Sequence, residues 1–147
     1  MRHYCLHLSG PDPARNRPAF RADARAARGF NGDIGLCLDD WRATLTGAEA
    51  SEASLITALG RRVARKTLFA AASLVSHYDS TWTTDREIAA QRLAQVWPRQ
   101  AERLAMMYGW SEGSVVATRQ HLASALDQGG TVDEVVQRFR DSIGLWD

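Results

Sequence analysis

The chain has 147 residues, 45% of them apolar and 24% charged, and a formal net charge of +1. That balance is typical of a globular domain that buries roughly two-thirds of its unfolded surface and needs no disulfides or metals to do so. It leaves no global field to attract nucleic acid, and the longest apolar run, Leu68 to Val75, is far below the ~20 residues of a membrane helix.

The first ten residues contain no secretory apolar stretch, and the two cysteines, Cys5 and Cys37, form no Cys-x-x-Cys pair. Both features point to a reducing cytoplasm. From Arg2 to Leu8 the residues alternate as in a short strand, with Tyr4, Leu6 and Leu8 on one side and His3, Cys5 and His7 on the other. Pro11 and Pro13 stop it. One strand cannot form a sheet, so it either pairs with another chain, a partner or a second copy, or lies extended over the helical body. His3, Cys5 and His7 are metal-ligand types, but no spaced fourth ligand follows, and an ordinary strand face is the default reading.

Helices follow. A short one is expected over Pro18 to Arg28, then Asn31-Gly32 as a turn. Ile34, Leu36, Leu38, Trp41 and Leu45 predict an amphipathic helix from Asp33 to Leu45, ended by Gly47. Ser51 caps a long helix running to about Tyr78. Thr84 with Glu87, and Thr131 with Glu134, have capping-box spacing and predict helices over 85–96 and 132–143. Pro98 breaks the chain before a short helix over Arg99 to Tyr108. Ser111 caps another reaching Leu126, closed by Gly129-Gly130. The expected fold class is mainly α: one domain over 1–147, a bundle of about five to six helices preceded by one short N-terminal strand. Within it, 1–13 are strand and turn, 14–50 short helices and 51–147 the bundle.

The long helix carries the clearest chemical pattern. With Arg62 at 0° and about 100° per residue, Leu59, Val63, Thr67, Ala71 and Leu74 form a core arc, while Arg62, Arg65, Lys66, Phe69, Ser73 and His77 share the opposite one. Arg62, Arg65 and Lys66 lie on adjacent turns and can meet a phosphate chain, Arg through its planar fork and Lys as a point charge. Phe69 offers a stacking surface. A solvated helix face explains the same pattern. Asp33 and Asp40 are seven residues apart and share a helix face, which with His77 makes them candidates for acid-base catalysis; an exposed carboxylate face is the alternative. The five tryptophans read mainly as core and bundle-end packing, with one or two available to line a pocket.

The stretch Gly60-Arg-Arg-Val-Ala-Arg-Lys-Thr-Leu-Phe-Ala-Ala-Ala-Ser-Leu-Val75 is similar to the long helix in the C-terminal helical, substrate-binding domain of bacterial nucleotidyltransferases. Ser80-Thr-Trp-Thr-Thr-Asp-Arg-Glu87 resembles that family's following loop and helix start, and Val96-Trp97-Pro98 matches its Tyr-Pro position. Leu8 to Pro13 resembles the crossing from the catalytic domain. The resemblance covers most of residues 3–110 and adds nothing over 111–147. It implies a cleft for nucleotide and acceptor substrate, with Arg62, Arg65 and Lys66 near phosphate and Ser73 and His77 further along the same face.

The family's Gly-Ser motif and Asp-x-Asp pair are absent, and two carboxylates on one strand face are what would hold the catalytic metals. Nucleotidyl transfer by this chain alone is therefore not expected. No cofactor of its own is implied; a nucleotide with Mg²⁺ would act through a partner. Three functions stay open: a binding module for a nucleotide or small anionic substrate that completes a partner's active site, a standalone acid-base enzyme using Asp33, Asp40 and His77, and a structural or regulatory interaction protein. A toxin ribonuclease is disfavoured, because Arg119 and His121 are too close, and Arg65 and His77 too far apart, for that family's helical Arg–His pair.

Overall fold

The computed structural model describes residues 21–47, 53–79, 82–83 and 85–147, with the backbone only at 77–79. The expected strand at Arg2 to Leu8, the start of the Pro18 helix and the Ser51 cap lie outside the described residues. Among those described there are seven α-helices and one 3₁₀ turn: α1 (Ala24–Asn31), α2 (Ile34–Gly47), α3 (Ala53–Asp79), α4 (Arg86–Val96), the 3₁₀ turn Pro98–Gln100, α5 (Ala101–Glu112), α6 (Arg119–Leu126) and α7 (Thr131–Ser142). The mainly helical bundle expected from sequence is thus observed, with seven helices matching the seven segments read in chain order and exceeding the expected total of five to six.

Helix α3 is the axle, packing against α1, α2, α4, α5 and α7. Its core arc behaves as the wheel predicts, with Leu59, Val63, Ala64 and Leu68 fully buried. Burial goes further round than expected: Ala70, Ala72, Ser73 and Ser76 are also shut off from solvent. These small side chains let neighbouring helices close in on nearly every side. Thr67 is fully buried and its Oγ1 has no hydrogen-bond partner. Because an unsatisfied buried hydroxyl is costly, Thr67→Val should stabilise the fold by roughly 1 kcal/mol, read as a higher midpoint in urea with an unchanged slope.

Local chemistry explains the helix ends and corrects several expected ones. Asp85 caps α4, accepting from the N–H of Glu87 and Ile88, so the cap falls one residue after the predicted Thr84. Helix α7 is capped by Gly130 rather than Thr131; the Thr131 hydroxyl turns to Gln100 Oε1 at 3.4 Å, and Gln100 in turn donates to Glu134. Ser111 starts no helix. It lies within α5, its hydroxyl donating to the Tyr108 carbonyl, and α5 ends where Gly113 turns left-handed (φ 81°). Thr118 caps α6 through a capping box with His121, a pairing the acidic consensus does not reveal.

One polar clamp ties the second half of the bundle together. Asp133 is buried; its Oδ1 lies 3.1 Å from the Arg42 guanidinium and its Oδ2 accepts from the Gly129 N–H at 3.0 Å. Arg42 Nε also donates to the Leu126 carbonyl at 2.8 Å. A single guanidinium on α2 therefore holds the end of α6 and the start of α7.

Candidate functional site

The stripe residues must be located against what faces them. Helices α1 and α2 are separated only by Gly32 and Asp33, so the residues of this tight junction are presented together to α3. Asn31 is buried and donates from Nδ2 to Ser73 Oγ at 2.8 Å; Ser73 passes its own proton to the Phe69 carbonyl at 3.0 Å. Lys66 Nζ donates to the Phe30 carbonyl at 3.1 Å, placing a cation at the C-terminal end of α1 where the helix dipole favours one. The same ammonium lies 2.6 Å from Asp33 Oδ1, with the two side chains 24% and 30% exposed. That carboxylate oxygen is buried and has this charge contact but no directed hydrogen bond.

Cys37, one turn into α2, points its thiol at Asp33 Oδ2 across 3.7 Å. Burial first, and then the adjacent Asp33 carboxylate, push its pKa above the ordinary thiol value, with Lys66 partly opposing them. The raised pKa lowers the thiolate fraction and slows the reaction of Cys37 with electrophiles. In a Cys5→Ser background, Asp33→Asn removes a negative charge and a thiol acceptor. The Cys37 pKa should then fall and iodoacetamide alkylation at fixed pH should rise severalfold; an unchanged pH–rate profile would contradict the coupling.

Aromatic rings border the junction. Phe30 is 60% exposed, and its ring centroid is 5.4 Å from that of Trp82, tilted by 46°. The C-terminal tail folds over the same turn: Trp146 Nε1 donates to the Arg28 carbonyl at 2.7 Å, its backbone N–H donates to Gly32 O at 2.8 Å, and Arg28 Nε donates to Leu145 O at 3.1 Å. A side chain at Gly32 would collide with the Trp146 indole, and one at Gly35 with Leu145. Both glycines are present because the tail needs their surface.

The cationic stripe divides. Lys66 serves the α1–α2 junction, whereas Arg65 reaches the other way, to the Ser111 carbonyl on α5 at 3.5 Å, and Arg61 lies against Gly113. Arg62, between these directions, is exposed. On the wheel Arg65 and Lys66 are about 100° apart, and helices on both flanks of α3 draw them to separate carbonyls. Phe69 is half-buried beside the junction, while Ser73 is buried and committed to Asn31. Asp33 is in the cluster; Asp40 is exposed on α2 and adds its charge to that of Asp33 in raising the Cys37 pKa. The backbone of His77 lies in the last turns of α3, and its side chain is outside the described residues.

Sequence reasoning missed Asn31 and Cys37. The i, i+4 spacing of Asp33 and Cys37 was the available signal, hidden because Asn31-Gly32 reads simply as a turn. Among the described residues no three His, Cys, Asp or Glu side chains come close enough to hold a metal, and no helix is long and apolar enough to cross a membrane. The chain matches no family model, no curated protein and no solved structure.

Proposed function

We propose that this chain is a binding module that holds a nucleotide or small anionic substrate where α3 meets the α1–α2 junction, with any group transfer completed by a partner chain. The observation that carries the reading is the Lys66 ammonium, fixed by Asp33 and by the backbone carbonyl of Phe30, whose exposed ring lies against the half-buried Trp82. An ammonium has three donors, of which the Phe30 carbonyl and Asp33 engage two, so one remains for a phosphate or carboxylate oxygen. Arg62, one turn earlier on the same face and exposed, adds a second cation. The exposed Phe30 ring, braced by the tilted Trp82, supplies an apolar face on which a base or ring can stack. The Gly-Ser and Asp-x-Asp elements of nucleotidyl transfer are absent from the sequence, which is why the module is proposed to bind rather than to catalyse alone.

Cys37 is a built-in reporter of this junction. A ligand that draws Lys66 away leaves the Asp33 charge uncompensated beside the thiol and also shields it. Both effects slow alkylation. In the Cys5→Ser protein, ATP or GTP with Mg²⁺ should therefore protect Cys37 from iodoacetamide in a saturable way. A rate indifferent to either nucleotide would overturn the reading for nucleotides.

A further inference from the structure

A second recess lies on α5, α6 and α7 and shares no residue with the α3 junction. It measures about 180 Å³ and is bordered by Arg103, Met106, Met107, Trp110, His121 and Thr131, among others. An apolar cavity of about 150 Å³ accommodates benzene, so this one has room for a single ring and little more. Its apolar wall is made by the two methionines, soft side chains that adjust to a guest.

The polar rim carries formal charge of one sign only. Trp110 is only 3% exposed, and its Nε1–H is buried with no acceptor. Buried donors without partners are rare in native proteins and call for an explanation. The His121 ring stacks on Trp110, centroids 6.0 Å apart and planes 22° from parallel. Its Nδ1 accepts from the Thr118 N–H in the α6 capping box, at 3.4 Å. An accepting Nδ1 places the proton of the neutral ring on Nε2, which makes that edge a donor. Arg103 contributes a guanidinium, which only donates. The Thr131 hydroxyl spends its proton on Gln100. No Asp or Glu borders the recess.

We infer that this recess binds a small carboxylate carrying one ring, its ring against Met106 and Met107 and its oxygens taking the Arg103 and Trp110 donors. The Arg103 guanidinium, unopposed by any carboxylate on the rim, selects an anion, and the apolar wall selects one with a hydrophobic body rather than free phosphate.

The test follows the indole N–H resonances of ¹⁵N-labelled protein during titration with benzoate, the Trp110 signal being assigned through its contacts to His121. Benzoate should shift that signal saturably, with a Kd on the order of 1 mM for so small a ligand. Uncharged benzamide, of nearly the same shape, should bind about tenfold more weakly, and Arg103→Ala, at an exposed position, should weaken benzoate by about the same factor. No shift with benzoate would overturn the inference. Equal affinity for benzoate and benzamide would also overturn it, leaving only an apolar void.

Discussion

Asp133→Ala should be among the most damaging single substitutions in the bundle, costing roughly 3 kcal/mol, because it leaves a guanidinium pointing at a vacated buried site. The carboxylate receives Arg42 and the Gly129 N–H, so its loss also frees a backbone donor at the start of α7. Arg42 is 39% exposed and can turn to water, which keeps the cost below that of a fully buried pair. Arg42→Ala, which strands the buried Asp133 carboxylate with only the Gly129 N–H, should cost at least as much, and the double variant less than the sum of the two. Urea denaturation of the four proteins measures this directly. Additive losses would show that the two side chains act separately.

Gly60→Val should cost about as much, roughly 3 kcal/mol, through overpacking rather than a lost interaction. Gly60 lies inside α3, where valine has the better helix propensity, so a reading from propensity alone predicts a gain. The structure predicts the opposite sign. A Cβ at Gly60 would stand 2.5 Å from Ala117 Cβ, an atom fixed to the backbone just before α6. Ala117 is itself buried, so neither backbone can yield without opening the contact of α3 with α6. Ala117→Gly should recover part of the loss in the double variant. Thermal unfolding in which Gly60→Val matches or exceeds the parent would contradict this account of the close approach.

The same glycine shows what the sequence makes legible. Gly60 does not interrupt α3, since propensity is a weak prior and a 27-residue amphipathic helix is held by tertiary packing. Apolar periodicity located α2 and the body of α3, and capping-box spacing located α4 and α7, each to within a few residues. Pro98 marked the break after α4, where the chain takes a single 3₁₀ turn. The α5–α6 boundary was misplaced because Ser111 looks like a cap, while the actual terminator, Gly113, and the actual cap, Thr118, depend on a left-handed turn and a histidine.

The candidate site was legible only as a face. The wheel puts Arg62, Arg65 and Lys66 on one arc, but which neighbour claims each head group is a tertiary fact. Lys66 meets Asp33 from 33 positions away in sequence, and Arg65 meets the Ser111 carbonyl from 46 away. Nothing local encodes those pairings. Ser73 was expected on an open surface and is instead buried against Asn31, because small residues on α3 admit α1 closely.

We propose the α1–α2–α3 junction as an anion-binding site built around Lys66. Calorimetric titration of ATP and GTP, with and without Mg²⁺, into the parent protein and into Arg62→Ala/Lys66→Ala tests it most directly. The account predicts saturable heat with the parent and its loss in a double variant that remains folded. No heat with the parent, or equal binding by the double variant, would contradict it.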